Sequence, residues 1–428
     1  MTNFLILPNQ LFEKKYLDKK YNYLIYEHPD FFTKYNFNKK KLILHRASMK
    51  YYFDYLKNKK FKVQYLEFDK KLPKKDFVYF DPINKMKIKG EMIETPNFIL
   101  TKKIYEKYRE KTDKFLFTNF YMWSKKLLNL YPDLKSKDKM NRERYKDGIK
   151  IPEIPSNKKD KEYIDEAIEY INKHFSKNYG NTDNFIFPIR HKTAKKWVKD
   201  FFKKRINNFG PYQDFVKQGE YYMYHSLLST SINIGLLNPN EIIDDLKEIK
   251  SKVPVNSFEG FLRQLFWREY QRYTYIYVDW NVNYIGNKKK LSKKWYTGNL
   301  GIPPVDDLIK SGFDTGYIHH IGRLMFVGNF MNISGISPKE GFKWFMEFSC
   351  DSYEWVMYQN VFDMVFFCTG GKTMRKPYVT SSNYILKMSD YKKGDWSVKW
   401  NELYNAFLKK NKEKLWKFRY SFPTLKNM

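Results

Sequence analysis

The chain has 428 residues, long enough for two domains with full cores. Its 79 Lys and Arg against 47 Asp and Glu leave a formal net charge of +32, which repels cationic surfaces and attracts a polyanion such as DNA, RNA or an anionic membrane. An aromatic fraction of 19% favours nucleic acid among these, because bases stack on aromatic faces held beside cations.

The joint abundance of Lys, Asn, Ile, Phe and Tyr is also what an AT-rich coding sequence produces, so the charge alone does not identify a partner. Only two cysteines are present, Cys350 and Cys368, and neither lies in a C-x-x-C pair, so neither a disulfide framework nor a structural zinc site is expected, and no metal ligand set is assigned. Without a basic and apolar leader or an apolar run of about 18 residues, the chain reads as a soluble intracellular protein of cytoplasm or nucleus. No membrane and no obligate protein partner are implied.

Residues 1–110 alternate strand-like and helix-like stretches: FLILP, YNYLIYE, a helix from about Leu44 to Lys59, FKVQYLEF and DFVYFDP. That order predicts a small parallel sheet with crossover helices, a Rossmann-like α/β domain that takes ligands at its strand ends, near Asn9, Gln10 and Glu27. No glycine-rich phosphate loop accompanies it. Residues 111–185 read as a polar connection with helical pieces such as DKEYIDEAIEYINKHF. From 186 to 428 helical patterns dominate, punctuated at FGPY, LLNPNE, KVPVN and GISPKE, which predicts an all-α domain.

Two segments of that domain crowd polar groups into apolar, helix-length surroundings: FLRQLFWREY (Phe261–Tyr270) and YIHHIGRLM (Tyr317–Met325). In the first, Gln264, Arg268 and Arg272 recur every fourth residue and share a face near Trp267, suiting a flat ligand with polar edges. In the second, His319 and Arg323 are four apart, and His320 points roughly 100° away from His319. Upstream lies FGPYQDFVKQGEYYMYHSLLSTSINIG (Phe209–Gly235); downstream lie CDSYEWVMYQN (Cys350–Asn360) and KPYVTSSNYILKMSDY (Lys376–Tyr391). In order and spacing these segments resemble the flavin-binding helical domain of the photolyase and cryptochrome family. They are most similar to its bacterial (6-4) branch, which usually carries an iron–sulfur cluster.

The resemblance covers nearly the whole chain and implies an α/β antenna domain followed by an all-α domain holding FAD, with a second antenna chromophore of unknown identity. The implied activity is light-driven repair of UV-damaged DNA by electron transfer from the reduced flavin, with the protein supplying position, polarity and dryness. By resemblance Asp351 and Asn360 line the isoalloxazine, and Ser226, Ser229 and His225 hold the phosphates; helix capping is the other reading of the two serines. The lesion would be flipped out of the duplex against Trp267, with Gln264 reading a base edge and Arg268 beside them. Gln264 stands where enzymes for cyclobutane dimers commonly have Glu, and His320 where they commonly have Asn. Repair of a (6-4) product needs an acid near the lesion, a part that His320 can play with His319 supporting it. Trp344 falls in the family's photoreduction relay, followed by Phe345, a poor redox step. Tyr378, Tyr384 and Arg375 resemble DNA-facing residues. Repair of cyclobutane dimers, or a flavin photoreceptor role without repair, stays open. The chain departs from the branch in lacking its four cluster cysteines, so no iron–sulfur cluster is expected. It has Met357 where the branch tends to place Glu.

Overall fold

The computed structural model describes residues 2–427. Met1 and Met428, the outer ends of the two expected domains, lie outside the described residues. Five strands form one parallel sheet: β1 (Asn3–Ile6), β2 (Asn22–Tyr26), β3 (Lys62–Leu66), β4 (Phe77–Phe80) and β5 (Gly90–Ile93), in the order β3-β2-β1-β4-β5. Phe4 on β1 is in register with Tyr23 on β2 and Val78 on β4. The four strands expected from apolar runs are present, and helices cover the sheet as a buried parallel sheet requires.

Two features differ from the sequence reading. The sequence suggested no β5: KGEMI is polar and exposed, as befits a short edge strand, and Gly90 begins it at φ +128°, open only to glycine. The first long helix begins at Lys39 rather than near Leu44, because Asn38 caps it through its side chain, 2.9 Å from the Lys40 amide. Lys40 and Lys41, which look like surface lysines, are buried against the helical half, where Lys41 Nζ donates to the Ser352 carbonyl.

The helical half and the sheet pack around one contiguous apolar core. A charged seam ties them together. Fully buried Arg272 reaches Asp81 at 3.0 Å, just beyond β4, and Glu94 at 2.6 Å, just beyond β5. At the crevice where the strand order reverses, a usual ligand position in such sheets, the chain's own groups meet. Gln10 donates to the Phe80 carbonyl at 2.8 Å and Asn9 to the Pro82 carbonyl at 3.2 Å. Glu27 accepts from Arg46, Tyr65, Tyr170 and the Phe68 amide. Among the described residues no helix is long and apolar enough to cross a membrane, and no cluster of three or more His, Cys, Asp or Glu could hold a metal ion. Both cysteine thiols are free and buried.

Candidate functional site

A cavity open to solvent lies in the helical half. Four stretches wall it: residues 225–233, the 23-residue helix Val255–Tyr277, residues 317–324 and residues 351–365. Two of these stretches run into π-helix, at Gly322–Gly328 and Tyr358–Val365. Each π turn inserts a residue and re-aims its neighbours, a device frequent at functional sites. The two π-helices meet at Gly328. A Cβ there would come within 2.7 Å of both Val365 Cγ2 and the Arg323 carbonyl, so the approach requires glycine.

Asp351 is the electrostatic centre of the wall. Arg323 Nη1 donates to its Oδ1 at 2.8 Å, Ser349 donates to the same oxygen at 2.5 Å, and Ser229 donates to Oδ2 at 2.7 Å. Burial alone would push this carboxyl up; Arg323 and the two hydroxyls outweigh it and hold it below the usual carboxylate range. Ser229 is therefore committed to Asp351. Ser226 accepts from the Leu228 amide at 3.4 Å, a local turn contact that leaves its hydroxyl proton unused. Asn360 donates to the Val356 carbonyl at 3.0 Å, while its buried Oδ1 has no partner.

The helix expected across Tyr317–Met325 starts only at His320. Gly316, in the left-handed region at φ +70°, ends the preceding helix Pro303–Thr315, so residues 317–319 leave that cap without helical structure. This places three imidazoles together. His225 and His319 stack with centroids 4.5 Å apart and planes 17° apart, and both His225 Nε2 and His319 Nδ1 are buried without a partner. Burial, then His320 and Arg205, lowers His225 to about 3. Burial, then His225, His320 and Arg323, lowers His319 well below its ordinary value. Surrounding protein, then Arg323 and Arg263, lowers His320 to about 4. The His320 side chain is exposed within the open cavity, so solvent relieves part of that shift. All three rings are neutral near pH 7.

On the long helix, Gln264 lines the cavity, and its side chain makes no hydrogen bond among the described residues. Trp267 lines it too and lies parallel on Phe117, with centroids 3.7 Å apart and planes at 10°. Arg268 is a buried wall residue: Nε meets Asn233 Oδ1 at 3.1 Å, Nη1 meets the Asn97 carbonyl at 2.6 Å, and Nη2 has no partner. The face shared by Gln264, Arg268 and Arg272 is thus divided, its first two members at the cavity and the third at the seam.

Trp344 is fully buried and does not line the cavity; its neighbour Phe345 does, with ring centroids 5.2 Å apart. Trp344 Nε1 donates to the Trp295 carbonyl at 2.7 Å, and buried rings continue through Phe330, 5.7 Å from Trp295, to Trp400, 5.1 Å further on. Tyr378 and Tyr384 are half-buried and Arg375 is exposed, all three outside the cavity wall. Near the two tyrosines lies a cluster that the sequence did not suggest. Arg142 pairs with Asp138 at 2.7 Å and Asp214 at 3.2 Å, and Arg263 reaches Asp138 at 2.9 Å. Burial raises Asp214 to about 6 against the pull of Arg142. Its members come from three distant segments, so no local pattern could announce them.

Residues 4–80 and 79–187 match the model of the family described as deoxyribodipyrimidine photo-lyase-related protein. A (6-4) photolyase of Agrobacterium fabrum is 35% identical over 296 residues, which are 65% of this chain and 58% of that relative's own length. Among solved structures, a bacterial class III photolyase from Agrobacterium tumefaciens superposes with a TM-score of 0.53 at 13% identity, covering 95% of this chain and 87% of its own. A Synechocystis cryptochrome superposes with a TM-score of 0.58 at 14% identity, covering 91% and 88%.

Proposed function

We propose that the chain is a member of the photolyase and cryptochrome family, to whose members it is similar in sequence and fold, and that it is a DNA photolyase that uses FAD and blue light to repair (6-4) pyrimidine-pyrimidone lesions. The observation that carries this reading is the convergence of His319, His320, Gln264 and Trp267 with the Arg323–Asp351 pair on a single cavity. The wall also carries buried polar atoms without partners: His225 Nε2, His319 Nδ1, Arg268 Nη2 and Asn360 Oδ1. Buried polar atoms without partners cost free energy until a ligand meets them, and a flat molecule with polar edges such as FAD meets that requirement.

FAD, when bound, would supply the light-driven electron transfer that opens the lesion. The chain's own residues do the rest. Asp351, pinned by Arg323, Ser229 and Ser349, fixes the loop beside the ring system together with Asn360. Ser226 and His225 Nε2 are the donors left for the phosphates. Trp267, braced by Phe117, receives the flipped base on its free side, and Gln264 has both a donor and an acceptor for its edge. His320 holds the proton that the migrating hydroxyl or amino group needs. Its imidazole is neutral in the free protein, and the phosphates of a bound strand raise its affinity for a proton.

The test is blue-light repair of oligonucleotides carrying either a (6-4) product or a cyclobutane dimer by the reduced protein, comparing wild type with His320→Ala. Loss of (6-4) repair in the variant supports the reading. Dimer repair untouched by the variant overturns the lesion assignment, and no turnover of either lesion moves the protein to the photoreceptors.

A further inference from the structure

Residues 409–421 carry six cations, Lys409, Lys410, Lys412, Lys414, Lys417 and Arg419, against the single acid Glu413. Elsewhere many lysines pair with nearby carboxylates; here, among the described residues, none of the six takes part in an ion pair. Two large aromatic side chains stand among them in the open: Trp416 is 44% exposed and Tyr420 76%. The Arg419 guanidinium sits between their rings, 5.3 Å from the Trp416 centroid and 4.7 Å from that of Tyr420. A tail that merely solvates its charge would not hold two exposed rings around a cation.

The segment is also anchored. Leu415 is fully buried, and Phe418 packs edge-on against Phe367 with centroids 5.2 Å apart. Lys414 Nζ donates to the Ile285 carbonyl at 3.0 Å, Tyr284 donates back to the Lys414 carbonyl at 2.8 Å, and Lys417 Nζ donates to the Gly370 carbonyl at 2.9 Å. The Gly370 loop leads toward the cavity: Lys372 Nζ lies 5.1 Å from the ring of Phe115, and the Thr373 carbonyl accepts from Tyr270 at 3.2 Å. Tyr270 in turn packs on Trp267, 5.4 Å away.

We infer that Trp416, Arg419 and Tyr420, with the lysines beside them, form a second nucleic-acid contact, a stacking platform for single-stranded DNA flanking the lesion. It rests on the proposed function for the identity of the polymer. Unpaired cations attract the backbone, and exposed rings beside an arginine stack bases without reading their sequence. A protein partner with an acidic face would satisfy the cations but would have no need of rings held open around a guanidinium.

The experiment uses the full chain and a fluorescein-labelled, undamaged oligo-dT, followed by anisotropy over a range of salt. Trp416→Ala and Tyr420→Ala should each weaken binding by roughly 5- to 150-fold, the range for loss of one stacked base, and Trp416→Phe should retain most of the affinity. Replacing Lys409, Lys410 and Lys412 together by Gln should flatten the salt slope by about 2, at roughly 0.7 per phosphate on single strands. Aromatic and lysine variants that bind like wild type overturn the platform even when lesion repair is intact. Loss of oligo-dT binding in those variants with no repair by wild type keeps the platform and removes the proposed activity. Lys412 is half-buried and Lys409, Lys410, Trp416 and Tyr420 are exposed, and matching thermal unfolding curves exclude misfolding.

Discussion

Replacing Arg323 with Met keeps the stem but removes the guanidinium from Asp351 Oδ1, 2.8 Å away, and from the Ile318 carbonyl. The carboxylate would remain buried with only the Ser229 and Ser349 hydroxyls to meet it. Removing one partner of a buried pair costs about 3–5 kcal/mol, and the two surviving hydroxyls place this case near the lower end. With an unfolding entropy of roughly 2.1 cal/mol/K per residue, a chain of this length should lose on the order of 3–4 °C in Tm. The pH dependence carries the sign. In the wild type the Asp351 carboxyl is held low, so its contribution is present above the unfolded value of about 3.9 and is lost as pH falls through its folded pKa. In the variant burial is opposed only by the Ser229 and Ser349 hydroxyls and the carboxyl rises, so the penalty should be largest at pH 7 and shrink as pH falls. Adding Asp351→Asn should recover part of the loss, because the buried unpaired charge disappears. Circular dichroism melts of the cofactor-free variants at pH 7 and pH 5 test this. An equal penalty at pH 7 and pH 5, together with a double variant no better than the single one, would refute it.

Gly328→Ala forces a methyl group against Val365 and the Arg323 carbonyl, and should cost about 1–3 kcal/mol in urea unfolding while loosening retention of bound flavin. Trp344→Phe should leave flavin content unchanged and slow photoreduction at least about tenfold, read as the rate of flavin bleaching under blue light, because a phenyl ring is far harder to oxidise than the indole hydrogen-bonded to Trp295. Imidazole nitrogen shifts from NMR should place the His320 pKa below its ordinary value in the free protein and higher with a lesion oligonucleotide bound; movement in the other direction would rule out its part as the acid.

The sheet was legible because β1, β2 and β4 are nearly continuous apolar runs, the signature of strands buried on both faces. β5 escaped notice for the opposite reason: an edge strand exposed on one side needs no apolar residues. The start of the helix at Lys39 was hidden because lysines read as solvent, whereas Lys41 lies under the Ser352 carbonyl and 4.5 Å from the ring of Phe37. Gln264, Trp267, His319 and His320 stood out as polar groups set in apolar helical sequence, and the structure brings them to one cavity. Their partners were not legible. Ser229 and Asp351 are 122 positions apart, and nothing local to either marks the bond. Nor does any periodicity announce a π turn, since one inserted residue leaves the apolar pattern almost unchanged.

The electrostatics of the cavity give the net charge of +32 a reading that composition alone does not. Burial and nearby arginines lower the proton affinity of His225 and His319, and Arg323 and Arg263 lower that of the more exposed His320, so the site in the free protein disfavours further positive charge. A nearby anion would favour uptake of a proton there. A polyanionic strand at the mouth supplies that charge, so binding and protonation are linked, each favouring the other by the same factor. Under this linkage an acid on His320 forms chiefly when DNA is bound, and the free protein is not left with an imidazolium poised beside its flavin site. In the proposed function, recognition of damage and acid chemistry would then be coupled through charge.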